Sequence, residues 1–263
     1  MALEVIDSVI AIPGGSIFVR RWNRNSSEHL PIVLLHDSLG SVEMWREFPA
    51  TLATETARTV IAYDRIGFGK SSLRTYPASS RFIDEEAQIY FPAVSKAMGL
   101  GRYILFGHSV GGGMSLAIAA HQTDKCAAVI TESAQAFVEE RTLSGIRAAK
   151  QHFEDGAQFS RLSKWHGERA RWVLEAWTEV WLSPEFREWT LDTYLSRIHC
   201  PVLAIHGDTD EFGSSAFPRR ITEGVCGPGR MEIISPCGHV PHREKEREVL
   251  ELAKGFLAEF HVP

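Results

Sequence analysis

Six short apolar runs punctuate this chain, at residues 31–35, 59–63, 103–106, 127–130, 201–205 and 231–234. Each is continuous rather than alternating, the pattern of strands buried on both faces. Helically spaced stretches lie between them at 41–56, 82–98 and 110–121, and a last one, 244–260, follows the final run. In that last stretch Val249, Leu250, Leu252, Ala253, Phe256, Leu257 and Phe260 fall on one face. Strands alternating with helices form a mostly parallel α/β sheet, and right-handed crossovers put helices on both of its faces. The N-terminal residues read differently. Val5, Ile6, Val9 and Ile10, then Pro13-Gly14-Gly15, then Ile17-Phe18-Val19 are two strands around a glycine turn.

The alternation breaks once. From 134 to 197 no buried-strand run occurs and the composition is helical. Five of the seven Trp fall here, between Trp165 and Trp189, and Trp172, Val173, Ala176, Trp177, Val180 and Trp181 share one wide helical face. At roughly 60 residues the segment is too long for an ordinary connection. It is expected to be a helical cap, 134–197, inserted in a core made of 1–133 and 198–263.

At 263 residues such a core buries about three quarters of the unfolded surface and needs no disulfide or metal to fold. The 44% apolar and 23% charged content argues against disorder. A net charge of −5 excludes a generally basic nucleic-acid binder and gives no electrostatic reason to sit on anionic lipid. No apolar run approaches the roughly 20 residues needed to span a bilayer, and residues 1–15 lack the charge and apolar pattern of a signal peptide. Cys126, Cys200, Cys226 and Cys237 lack zinc-ligand spacing, so the expectation is a cytoplasmic protein with four free thiols. Asn25-Ser26-Ser27 has the form of a glycosylation sequon, which carries no meaning without a secretion signal.

Gly107-His108-Ser109-Val110-Gly111 fits G-x-S-x-G. Alone it is a weak signal, but it follows one strand and opens the next helix. A Ser on such a sharp turn projects its hydroxyl away from the sheet, and the flanking glycines let backbone segments approach where a Cβ would collide. The helix start adds free N–H groups where an oxyanion would form. A Ser nucleophile needs a base and a group to orient that base. Asp210 follows the run 201–205 and His239 follows the run 231–234. The order Ser109…Asp210…His239 is nucleophile, acid, base, each just past the carboxyl end of a strand.

In these features the chain resembles α/β-hydrolase-fold enzymes of the serine esterase and lactonase kind, from the first hairpin to the last helix. His36-Asp37-Ser38-Leu39-Gly40-Ser41 is similar to the family's oxyanion loop, and the run from Tyr63 through Asp64 to Ser71 to its structural turn. The resemblance implies an oxyanion hole from the N–H groups of Ser38 and Val110. The sequence departs from the family pattern at Asp37, where Gly is usual.

Several neighbours compete for roles. Glu132 stands where some family members carry the acid. His36, His108 and His206 sit at strand ends and read as supporting or packing residues, with His108 also a pocket candidate. His242 reads as part of a solvated helix start, Asp208 as a turn cap and Cys237 as a buried thiol. The Trp face suggests that Trp172, Trp177 and Trp181 roof an apolar pocket. Together these imply hydrolysis of a small-molecule ester or lactone, without metal or organic cofactor. Two alternatives stay open: a C–C bond hydrolase or cofactor-free perhydrolase on the same triad, and a ligand receptor built on this fold.

Overall fold

The computed structural model describes residues 3–23, 29–74 and 76–263. The Asn25-Ser26-Ser27 sequon lies outside the described residues. The N-terminal hairpin is β1 (Glu4–Ile12) and β2 (Gly15–Asn23), longer than the sequence pattern suggested because the pairing continues through its polar residues. The six apolar runs are β3 (Ile32–Leu35), β4 (Val60–Tyr63), β5 (Tyr103–His108), β6 (Cys126–Glu132), β7 (Val202–Gly207) and β8 (Gly229–Ile234). All eight lie in one sheet, in the order β1-β2-β4-β3-β5-β6-β7-β8. The hairpin joins β4 antiparallel, and β3 to β8 run parallel. β1 is the outer edge, which is why Val5, Ile6 and Val9 are exposed although apolar.

The two-residue strand period divides the core between the faces of the sheet. Val33, Leu35, Tyr103 and Leu105 pack on one side with Met114, Phe91 and Phe217. Ile32, Leu34, Ile104 and Phe106 pack on the other with Leu52, Val249 and Phe256. This is the mostly parallel α/β architecture that the strand pattern demands.

The helices are less regular than their periodicity. The stretch 41–56 divides into a 3-10 turn (Val42–Trp45) and α1 (Phe48–Thr56), because Arg46 takes a positive φ of 54° between them. The stretch 82–98 is α2 (Phe82–Glu85), a π-turn (Glu86–Tyr90) and α3 (Phe91–Ala97). Pro92 explains the widening: it has no N–H, and its ring would press on the carbonyl four residues back in a regular α-helix.

α4 (Val110–His121) follows β5 directly. Between β6 and β7 come α5 (Glu140–His152), α6 (Gly156–His166), α7 (Ala170–Trp181) and α8 (Asp192–Leu195). α7 buries Val173, Leu174, Val180 and Trp181. Polar ties fix this helical segment to the loops above the sheet. His166 bonds the carbonyl of Leu39 at 2.8 Å and accepts from the Gly69 N–H, and Arg169 donates to the carbonyls of Phe68, Gly69 and Ser71. The chain ends with α9 (Ala216–Gly224), α10 (Pro241–Glu244) and α11 (Glu246–Glu259).

Candidate active site

Ser109 caps α4 with φ 55° and ψ −124°, a backbone conformation that L-residues seldom adopt. Close packing dictates the turn. A Cβ on Gly107 would lie 2.2 Å from the Gly111 carbonyl oxygen, and one on Gly111 2.1 Å from that of Leu35. The Ser109 N–H donates to the Glu132 carbonyl at 2.8 Å, which pins the turn to the end of β6.

His239 Nε2 lies 3.0 Å from Ser109 Oγ, and its Nδ1 lies 2.9 Å from both carboxylate oxygens of Asp210. A carboxylate only accepts, so Nδ1 carries the hydrogen and Nε2 is left to accept from the Ser109 hydroxyl. Asp210 is fully buried. Burial works against its charge, but His239, His206 and the Phe212 N–H together hold its carboxyl below the usual range. Phe212 stands edge-on to the His239 ring at 4.8 Å and fixes its plane.

The neighbours fall into supporting places. Asp208 accepts from Ser235 Oγ and from the Cys237 N–H, tying two loops together. Cys237 is a buried thiol whose pKa burial pushes up to about 12. Glu132 does not touch His239; it pairs with His242 at 2.7 Å. This corrects the reading of His242 as part of a solvated helix start. Its ring is buried against Trp45 and Phe48, with centroids at 4.7 and 5.3 Å, because Glu132 and the aromatic wall draw it inward. His36 accepts from the Arg65 N–H at Nε2 and donates from Nδ1 to the Asp37 carbonyl. It is neutral, with burial and then the Arg65 charge holding its pKa well down.

The loop after β3 brings Ser38 to the same cavity as Ser109. Among the hydrogen bonds of the described residues none starts from the N–H of Ser38 or of Val110. Asp37 turns its carboxylate along its own loop, accepting from the Leu39 N–H at 2.8 Å, and pairs with His108 Nδ1 at 3.5 Å.

The cavity over Ser109 has a volume of about 230 Å³. Of the four residues named for the pocket, His108, Trp177 and Trp181 line this cavity. Trp172 does not. Its Nε1 is tied to the Tyr76 carbonyl and its ring stands edge-on to Phe68, so it borders an adjoining recess instead. Sequence reading missed Gln135, whose amide lies 3.3 Å from Ser109 Oγ. It also missed Phe212 and the apolar wall of Ile146, Ala149 and Phe153. The one available signal was position: Gln135 follows β6 by three residues, and Phe212 follows Asp210 by two.

A strand–turn–helix serine facing a histidine and a buried carboxylate, on an eight-stranded, mostly parallel sheet, defines an α/β hydrolase. Residues 31–246 match the α/β-hydrolase fold family, and the chain belongs to it. A 1-acylglycerol-3-phosphate O-acyltransferase of Homo sapiens is 31% identical over 104 residues, 40% of this chain and 29% of that protein. The match therefore spans under a third of the relative's length. Among solved structures, a bacterial membrane phospholipase A superposes with a TM-score of 0.80 at 20% identity, covering 98% of this chain and 87% of its own. The enol-lactonase of Burkholderia xenovorans LB400 gives 0.75 at 18% identity, covering 95% and 100%. At these identities the structures share the fold.

Proposed function

We propose that the chain hydrolyses a small carboxylic ester or lactone through an acyl-enzyme. Ser109 Oγ attacks the acyl carbon while its proton passes to His239 Nε2. Asp210 holds the imidazole in the right tautomer and stabilises the imidazolium. The N–H groups of Ser38 and Val110 receive the oxyanion, an effect worth about 2.7–4 kcal/mol per donor in comparable sites. His239 then gives its proton to the leaving alkoxide. Water, deprotonated by the same imidazole, releases the acid.

The observation that carries this reading is the unbroken chain from Ser109 Oγ to His239 to Asp210, at 3.0 and 2.9 Å, beneath an apolar cavity of about 230 Å³. An ester-sized substrate fits such a space, and neither step needs a cofactor. The enol-lactonase and phospholipase named above are acyl-oxygen hydrolases on the same scaffold, which supports the reading by analogy.

The test is direct. A fluorophosphonate should add once, at Ser109, and Ser109→Ala should lose hydrolysis of short 4-nitrophenyl esters. Labelling at another residue, or an Ala variant with wild-type turnover, would overturn the proposal. A vinylogous diketone in the same panel separates the C–C hydrolase reading.

A further inference from the structure

The Ser38 N–H is one half of a peptide unit whose other half is the Asp37 carbonyl. A peptide unit is planar, and in its trans form the C=O and the N–H point in opposite directions. The only cis peptide among the described residues is Ser235-Pro236, so the unit joining Asp37 to Ser38 is trans. Whatever holds the Asp37 carbonyl therefore aims the Ser38 N–H.

Three donors hold that oxygen. Arg65 Nη2 donates to it at 2.8 Å, His36 Nδ1 at 2.8 Å and the Gly40 N–H at 3.2 Å. Arg65 also fixes the second of these, because its backbone N–H donates to His36 Nε2 at 3.2 Å and leaves the ring hydrogen on Nδ1. Arg65 Nη2 and His36 Nδ1 lie 3.4 Å apart because both converge on one acceptor. On the opposite edge of the peptide, the Ser38 N–H has no acceptor among the described residues, and Ser38 lines the cavity of Ser109. A carbonyl held on one edge and an open donor on the other are what a preorganised oxyanion contact requires.

Of the three donors only Arg65 is charged. It is 5% exposed. Burial lowers its pKa, but a guanidinium keeps its proton. A buried charge is costly unless it is paired. Glu86 attracts the guanidinium most, and its central carbon lies 4.2 Å from the Phe68 ring centre. Yet the one hydrogen-bond acceptor that it reaches among the described residues is the Asp37 carbonyl. A hydrogen bond from a charged donor is about twice as strong as a neutral one, and linked hydrogen bonds polarise one another. A cation on the carbonyl oxygen draws electron density from the amide and makes the Ser38 N–H a stronger donor.

We propose that Arg65 is a positioning residue of the oxyanion hole: it acts through the Asp37 carbonyl, holding and polarising the Asp37–Ser38 peptide so that the Ser38 N–H meets the oxyanion formed at Ser109. This rests on the ester hydrolase reading and deepens it. The turn after β4 that carries Arg65 then serves the acyl-transfer step as well as the fold.

The experiment uses 4-nitrophenyl butyrate as substrate and phenethyl trifluoromethyl ketone as a ligand whose adduct with Ser109 carries an oxyanion. Losing an oxyanion donor outright costs about 10²–10³ in kcat. Here the N–H stays and loses its polarising charge, so Arg65→Met should lower kcat by about tenfold, with KM within about twofold, and weaken the ketone by about tenfold. Arg65→Gln also removes the charge, should show the same split, and stands in if Arg65→Met does not fold. Arg65→Lys keeps a charge and should lose less than either. Neutral variants with wild-type kcat, a loss confined to KM, or a Lys variant as impaired as the Met variant overturns the proposal. Ketone binding, followed by calorimetry, separates the two failures. If no ester is cleaved but the ketone binds and Arg65→Met weakens it, the ester hydrolase reading falls and the role of Arg65 stands. If esters are cleaved and both neutral variants match the wild type, the role of Arg65 falls and the hydrolase reading stands.

Discussion

His108 has an acceptor at each ring nitrogen: the Asp37 carboxylate at 3.5 Å and the His239 carbonyl at 2.8 Å. Donating to both requires a hydrogen on each nitrogen, so it is the protonated ring that bridges the loop of Ser38 to the loop of His239. Burial opposes that charge, but Asp37, then Glu132 and the His239 carbonyl, raise its pKa above the ordinary value. Asp37 in turn is held well below the carboxylate range, because His108 outweighs the cost of its burial. The sign follows. The bridge is intact while His108 is protonated and is lost as pH rises through its raised pKa. Activity on a neutral ester should therefore fall on the alkaline side, and Asp37→Asn should move that fall to lower pH and reduce kcat more than it changes KM. An alkaline limb unmoved in Asp37→Asn would show that the bridge does not govern the rate. A second residue-scale expectation concerns the acid. Asp210→Asn should lower kcat by about 10⁴-fold through the wrong imidazole tautomer. Glu132→Gln should instead act through the buried His242 pair and lower the melting temperature. The sequence made Ser109, Asp210 and His239 legible because each follows a strand. It could not reveal the Asp37–His108 bridge or the Glu132–His242 pair, because their partners are 71 and 110 residues apart (108 − 37 and 242 − 132).

The element most fully written in the sequence is the unit β5–turn–α4. Its glycines are not interchangeable, although Gly111, Gly112 and Gly113 are consecutive. A Cβ on Gly111 would meet Leu35 O, Leu35 C and His36 O at 2.1, 2.6 and 2.7 Å, all rigid backbone at the end of β3. A Cβ on Gly113 would meet nothing closer than 3.8 Å. Gly111→Ala should therefore cost more than about 3 kcal/mol or prevent folding. Gly113→Ala should gain about 0.4–1 kcal/mol by restricting the unfolded chain and favouring the helix. Urea unfolding of the pair decides it; equal effects would show that crowding at the turn is not the determinant. The helices were less legible than the strands. Periodicity marks which residues face the sheet, but a positive φ at Arg46 and the ring of Pro92 break the hydrogen-bond ladder without breaking the apolar spacing. The position of α7 was legible as an apolar face. Its attachment through His166 and Arg169 was not, since both bond backbone carbonyls or N–H groups, and backbone leaves no mark in sequence.

Across the whole molecule the parallel strands separate two tasks. Their carboxyl ends carry Ser109, Asp210 and His239, while the amino ends hold the chain together. Arg58, just before β4, is the centre of that second region. Its side chain is buried, and its guanidinium donates to Leu30 O at 3.1 Å, Val262 O at 2.6 Å and Pro263 O at 2.5 Å. It thereby joins the residues entering β3 to those that follow α11, which lies on the sheet face packed by Leu52, Val249 and Phe256. Burial lowers the Arg58 pKa, but a guanidinium keeps its proton. Removing the charge leaves three carbonyls in a partly closed site without their donor. A hydrogen bond to a charged group contributes about 1.5–3 kcal/mol, and the three share one side chain, so Arg58→Met should cost about 2–4 kcal/mol. The urea midpoint should fall with an unchanged slope, because the surface exposed on unfolding stays the same. Turnover of a neutral ester, measured well below the melting temperature, should match the wild type, because the length of the sheet lies between Arg58 and Ser109. A loss of kcat in step with the loss of stability would mean that the two ends of the sheet are coupled and that this division is wrong.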